Sequence, residues 1–476
     1  MTQSNIPSDQ RQPGSYMTLD FESGPVGLVA IGRAIALIGA KTSAGSGAVA
    51  APTLVQSAAE CDAVAGKGSI LALMGKKVFE VFKRLGGAAQ VYLVCVADPA
   101  GTAALFTFTA SGTSTEAGDV VFKVAGRTLR ASVSSGAAST AVATAIGAAI
   151  DASEADLPGT AGVASSVCTF TTAVTGVNGN GIAVEVVSAP AGITVVAAAS
   201  ATVGVGAIDI TAALDSLATR EYQSIAISNN LAADVSDLSA HLDEMWGAGA
   251  KKYRHAFIGS RSSLGTATTV ASGADVQNIV QASAEGLGSL PGEVAAAVGA
   301  MRLTKEKPSY NYDGTELPLY PPSDSDAYTD SEVETALAGG VTPLTKTDSG
   351  MMKMERLVTT KTTDSAGNPF ENLLDLSNSW TIAYYAKQAD IAVARAIQGQ
   401  NLDSALLRSL RGIVYRILLL GQEAGDLHNV EAHAGEIQVV AHPSIPTRVL
   451  IDIPCAVVPN AHQADTTMRL IVEGAQ

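Results

Sequence analysis

Several groups of residues have side chains that do chemistry elsewhere, and their spacing decides what each can do here. Gly68, Gly75, Lys76 and Lys77 offer the glycines and lysines of a phosphate-cradling loop. That loop needs G-x-x-x-x-G-K followed by a hydroxyl residue, whereas these glycines are too far apart and Lys76 is followed by Lys77. His428 and His433 are five apart, which does not stack two imidazoles on one helical face as H-E-x-x-H does, so they read as solvated or capping histidines. Asp324, Asp326, Asp330 and Glu332 are calcium-type donors without the EF-hand glycine or its closing glutamate, and read as a solvated acidic loop. Lys251, Lys252, Arg254 and His255 form one basic cluster, expected to be a protein contact. Cys61, Cys95, Cys168 and Cys455 are scattered without a C-x-x-C pair, as buried reduced thiols would be. No G-x-S-x-G elbow is present. The expectation is a protein that is not an enzyme and uses no cofactor or metal.

The elements that would position these residues point to a structural role. Hydrophobic residues make up 47% of the 476 but aromatics only 5%, with 46 glycines, which favours many short strands and small-residue helices over an aromatic binding cleft. At this length two to four compact units are expected. The net charge of −15 argues against a nucleic-acid partner, because phosphate contacts need clustered lysine and arginine. The opening MTQSNIPSDQRQPG has no basic start or apolar stretch, and no run reaches the ~18 apolar residues of a membrane helix, so a cytosolic protein without direct membrane insertion is expected.

Read in order, SYMTLDF alternates as a strand, with Tyr16, Thr18 and Asp20 against Met17, Leu19 and Phe21. Val26–Ala40 reads as a buried strand, 52–86 as two helices, and Gln90–Ala97 as another buried strand. From 99 to 206 the composition shifts to Thr, Ser, Ala, Gly and Val, with six alternating segments, a helix at 137–152 and a hairpin-type NGNG turn at 178–181. The β/α rhythm resumes from 208 to 303, which implies parallel pairing with crossovers. Residues 304–335 read as a polar surface connection. Next comes a hairpin of Val341–Thr345 and Met351–Thr360 about Asp348-Ser349-Gly350. Two helices follow, 370–398 and 403–422, the second capped by Asp403 or Ser404, with a buried stripe of Leu406, Leu410, Ile413, Ile417 and Leu420 that leaves Arg408 and Arg411 outside. Strands at 435–441 and 447–458 precede a terminal strand containing Thr467, Met468, Arg469, Leu470, Ile471 and Val472.

The expected fold class is therefore α/β (α+β) and multidomain: an extended arm at 1–22, a split α/β domain at 23–98 and 207–303, an inserted β-rich domain at 99–206, an α+β domain at 304–464 and a strand arm at 465–476. Both ends are isolated strands. Unpaired strands invite aggregation unless a partner completes the ladder, so they either fold back or are exchanged between copies.

IPSDQRQPGSYMTLDF resembles the PGVYVE-type start of contractile-phage tail sheath proteins, especially the Mu-like branch, with Ser15-Tyr16-Met17 in place of an aliphatic-aromatic-aliphatic trio. The β-rich insertion, LDEMWGAGAKKYRHAFIGSRSSLGTATTVAS and GGVTPLTKTDSGMMKMERLVTT are similar to that family as well. The resemblance implies a subunit of hexameric rings stacked around a tail tube protein, between baseplate and tail terminator proteins, in a virion tail assembled in the bacterial cytoplasm. It implies that both arms add strands to a neighbour's sheet, that the 304–464 domain is the inner one, and that contraction drives the tube through the host envelope. Arg408 and Arg411 are the expected tube-facing residues. Two other readings are a secreted or surface β-rich adhesin, raised by the Thr/Ser/Ala/Gly insertion and opposed by the missing signal peptide, and an α/β enzyme without a recognisable site.

Overall fold

A computed structural model describes residue 28 and residues 32–462, apart from the side chains of 199–201. The terminal segments 16–21 and 467–472 lie outside the described residues. Two compact units are present, one holding 32–383 and 459–462, the other 384–458 with Leu28.

The larger unit begins with β1 (Ala34–Ala40), β2 (Thr53–Val55), α1 (Ala58–Ala65), α2 (Ile70–Leu85) and β3 (Gln90–Val96). Every residue of β1 is buried, as a central strand covered on both faces requires. Its side chains alternate between two cores: Ile35 and Leu37 join Leu71, Met74 and Val78 of α2, while Ala36 and Ile38 face the other way. Thr53–Val55, expected to be helical, instead pairs antiparallel with β3, Leu54 opposite Tyr92. The helix starts only where Ser57 accepts a hydrogen bond from the Glu60 N–H.

The inserted segment contributes β4 (Leu105–Gly112), β5 (Gly118–Val124), β6 (Arg127–Val133), α3 (Ser139–Asp151), β7 (Gly159–Ala164), β8 (Val167–Thr172), β9 (Val184–Ser188) and β10 (Ile193–Thr202). They form two antiparallel sheets, β10-β4-β8-β7 and β6-β5-β9. Phe106 packs near Phe170 with centroids 6.3 Å apart, and Phe108 meets Phe122 across the two sheets at 5.1 Å. Four of the chain's nine phenylalanines thus lie here, each at most 1% exposed, and each such burial contributes about 1.5–3 kcal/mol. NGNG does not make a hairpin: 177–179 form a 3-10 turn, and β8 and β9 on either side belong to different sheets.

After the insertion come α4 (Thr211–Leu217), β11 (Ser224–Ile227), α5 (Ala232–Trp246), β12 (His255–Ser260), α6 (Leu264–Ala274), β13 (Ile279–Ser283) and α7 (Pro291–Arg302). Then follow β14 (Glu316–Leu317), α8 (Asp330–Ala338), β15 (Val341–Lys346) and β16 (Met352–Met354). All the strands of this unit outside the insertion form one sheet, β14-β16-β15-β13-β12-β11-β1-β3-β2, parallel from β3 to β15. Helix α7 is buried from Gly292 to Arg302, and its small residues let it lie close: a Cβ at Gly299 would stand 3.1 Å from the Phe257 ring.

The expected boundary at 303–304 falls inside this sheet, because β15 pairs with β13 through Ala282 opposite Thr342. The 304–335 connection is also less superficial than its polarity indicates. Tyr312, Leu317 and Leu319 are buried, and α8 opens on a capping box in which Thr329 and Glu332 satisfy each other's backbone N–H groups. The hairpin forms with Leu344 opposite Met354 and Lys346 opposite Met352, both methionines fully buried.

The chain passes into the smaller unit within α9 (Leu376–Ile397), followed by α10 (Ser404–Glu423), α11 (Val430–His433), β17 (Gln438–Ala441) and β18 (Val449–Asp452). Tyr385, Ala389, Val414, Ile417, Leu418, Leu427, Val430 and Ile437 form its core. Asp403 caps α10, accepting from the Leu406 N–H at 2.7 Å. The stripe is turned slightly from expectation: Val414, Leu418 and Gly421 are buried, and Ile413 and Leu420 only partly.

Candidate assembly surfaces

Most of the groups that the sequence singled out as chemical are, in the structure, occupied with holding the fold. Lys76 pairs with Asp62 at 2.8 Å, and Lys77 with Glu80 at 2.7 Å and the Pro318 carbonyl at 2.8 Å. Asp324 meets Lys346 at 2.5 Å, Asp326 accepts from Ser323 and Ser325, and Glu332 is spent on its cap. His433 faces Glu436 at 3.1 Å and His428 is exposed. Among the described residues no group of three or more His, Cys, Asp or Glu is placed to hold a metal ion. Burial pushes the Cys61 thiol up to about 12 and those of Cys168 and Cys455 to about 11, so they stay protonated and unreactive at neutral pH.

The basic cluster at 251–255 is not a surface patch, because Arg254 and His255 are buried. Arg254 donates to the carbonyls of Leu217 at 3.3 Å and Arg220 at 2.8 Å. It also reaches the His241 ring at 3.1 Å; a guanidinium can only donate, so His241 accepts and is neutral. Burial and then Arg254 push His241 down to about 4. His255 bonds Ser379 at 3.0 Å between the rings of Trp246 and Trp380, and burial followed by Arg302 pushes it down to about 3. A run of basic residues leading into a strand gave no sign that two of them enter the core.

One ion pair fixes the insertion to the large sheet. Glu293 of α7, fully enclosed, meets Arg127 at the start of β6 at 2.7 Å, and the Tyr320 ring lies 5.1 Å from both the Arg127 and Lys77 cations. Burial raises the Glu293 carboxyl, but Arg127 and Lys77 outweigh it, and the group titrates below its usual range. The sequence contains no local signal for a pair 166 residues apart.

In the smaller unit, among the described residues, β17 and β18 pair with each other alone, Val440 opposite Leu450 and Val439 opposite Ile451. Val439 and Ile451 pack on the unit's core, while Val440 is 47% exposed, Leu450 38%, and Ile445 in the connecting turn 42%. A two-stranded sheet by itself is marginal in water, and among the described residues no further strand pairs with either of its outer edges. Arg408 and Arg411 are both exposed on α10, Arg411 donating to the Ala434 carbonyl at 3.0 Å.

No family model matches the sequence. The tail sheath protein of the Mu-like prophage FluMu from Haemophilus influenzae is 28% identical over 179 residues, so the match spans 37% of this chain and about a third, 36%, of that protein. A sheath tail protein from Desulfitobacterium hafniense superposes with a TM-score of 0.50 at 12% identity, over 90% of this chain and 93% of that one. A chain of the contracted PVC sheath complex, from an extracellular contractile injection system, gives 0.51 at 10% identity over 97% and 98%. A chain of the anti-feeding prophage baseplate gives 0.51 at 10% identity over 97% and 100%. The fold is that of contractile tail sheath proteins. The relatives named as tail sheath proteins are structural components and not enzymes.

Proposed function

We propose that this chain is the sheath subunit of a contractile, phage-like tail, polymerising as hexameric rings around a tail tube and contracting to drive that tube through an envelope. The observation that carries the reading is the β17–β18 ribbon in a chain of sheath fold. Two strands with an exposed apolar face and, among the described residues, no further strand on either edge are what terminal strands from other copies would complete. The segments Tyr16–Phe21 and Thr467–Val472 alternate as such strands must. Exchange of a strand between identical subunits is a heterologous contact and therefore propagates. Main-chain ladders tolerate small rotations, so subunits can turn while the strands stay paired. The energy of contraction comes from apolar area buried between subunits and requires no nucleotide.

In this reading Arg408 and Arg411 face the tube. Baseplate and terminator proteins bound the array, which assembles in the host cytoplasm. The test is truncation: chains lacking 1–21 or 465–476 should stay folded and soluble but form no tubes under negative stain. Tubes of normal length from either truncation would remove strand exchange from the account.

A further inference from the structure

Arg261 follows β12 at the carboxyl edge of the large sheet, and its guanidinium lacks what the other enclosed arginines have. Arg127 pairs with Glu293, Arg356 grips both oxygens of Asp375 at 2.8 and 3.0 Å, Arg254 donates to carbonyls, and Arg302 lies 4.4 Å over the Trp380 ring. Arg261 has no ion pair among the described residues, and its Nη1 is shut off from solvent with no hydrogen-bond partner. Burial lowers its pKa, with no anion opposing that shift. A guanidinium kept half-dehydrated without an anion is destabilising, and the cost is recovered only if one arrives.

The surroundings have room for one. Arg261 lies on a cleft of about 850 Å³ between the insertion, which contributes Lys123 and Glu185, and the Tyr320–Asp326 stretch with Lys346. The two lysines are already paired, Lys123 with Glu185 at 3.0 Å and Lys346 with Asp324 at 2.5 Å, and the third carboxylate of the cleft, Asp326, accepts from Ser323 and Ser325, so Arg261 is left without an ion pair there. Gly181, the last residue of NGNG, lies along its stem: a Cβ there would be 3.6 Å from the Arg261 Cδ. Tyr320, Pro321 and Pro322 give the cleft an apolar wall.

We propose that this cleft receives an acidic side chain of a second copy of this chain, whose carboxylate forms a two-toothed pair with Arg261. The inference rests on the sheath reading, in which every subunit meets other copies. Three features favour a peptide over a lone ion: the cleft is far larger than one anion, its apolar wall would stay wet around an ion, and any neighbouring copy brings an excess of acid, 45 Asp and Glu against 30 Lys and Arg.

The test uses full-length protein. Polymer assembled from an equal mixture of nitrogen-15-labelled and unlabelled Arg261→Lys chains is treated with a carbodiimide, which condenses a carboxylate with the new amine, and digested for mass spectrometry. The expected result is mixed-isotope cross-linked peptides joining position 261 to an acidic residue. Arg261→Glu should raise the concentration needed for polymerisation at least tenfold, while the unassembled variant melts no lower than wild type. The proposal is overturned by cross-links confined to single chains, or by Arg261→Glu polymerising at the wild-type concentration. It is equally overturned if acetate or inorganic phosphate binds unassembled wild type, but not Arg261→Glu, in calorimetry and no cross-link between copies forms, since the ligand is then a free ion. Wild-type protein that never polymerises sinks the sheath reading and this proposal together. Normal tubes from Arg261→Glu sink only the latter.

Discussion

Glu293 and Arg127 show what one residue pair can decide in this molecule. Removing one partner of an enclosed pair strands the other charge, which typically costs about 3–5 kcal/mol. Glu293→Gln should therefore lower the chemical unfolding midpoint markedly, whereas the double change Glu293→Gln with Arg127→Met should regain much of the loss; a single variant as stable as wild type would show that the pair does not hold the insertion. His255 and His241 give a pH dependence of definite sign. Their folded pKa values, about 3 and about 4, lie below the 6.5 of the free side chain, so the unfolded chain takes up protons that the folded one refuses. Stability from this source is complete above pH 6.5 and falls as the pH drops, by about 1.4 kcal/mol per pH unit for each histidine, down to about 4 for His241 and 3 for His255. Urea midpoints should be level from pH 7.5 to about 6.5 and fall from there to pH 4.5, and His255→Asn should flatten the fall; a flat wild-type profile below pH 6.5 would contradict this.

At the scale of elements, the β17–β18 ribbon carries the sharpest expectation. Val440→Lys with Leu450→Lys places charge on a face that is already open to solvent, so the isolated subunit should melt within about 1 kcal/mol of wild type. If strands or copies cover this face, tube formation should fail; unimpaired tubes would leave the ribbon without an assembly role. Charge reversal at Arg408 and Arg411 should likewise spare the fold and weaken copolymerisation with tube protein. Elements were legible in the sequence where hydrophobic period and caps agreed, as in α10 with Asp403, or in β1, where continuous apolar residues mean burial on both faces. They were illegible where the partner lies far away. Thr53–Val55 is a strand only because β3 is beside it, and Gly159–Ala164 is so rich in glycine and alanine that nothing but its pairing with β8 marks it as β7. Residues 251–255 looked basic and superficial because sequence reveals charge but not the carbonyls of Leu217 and Arg220 that let Arg254 be buried.

For the molecule as a whole, the absence of a recognisable catalytic constellation in the sequence and the engagement of those same side chains in structural bonds lead to one account. In the proposed reading, the chain's chemistry is spent on holding a large sheet, an insertion and a small helical unit, and its function lies in surfaces that other copies would complete. The terminal segments lie outside the described residues; among those described, the β17–β18 ribbon is a surface with room for a further strand. The most direct measurement is electron microscopy of purified protein, comparing the full chain with chains lacking 1–21 or 465–476 at equal concentration and with folding verified by circular dichroism. The account predicts helical tubes of stacked rings from the full chain and folded, unassembled subunits from both truncations. Monodisperse single subunits from the full chain under every assembly condition, or intact tubes from the truncations, would contradict it.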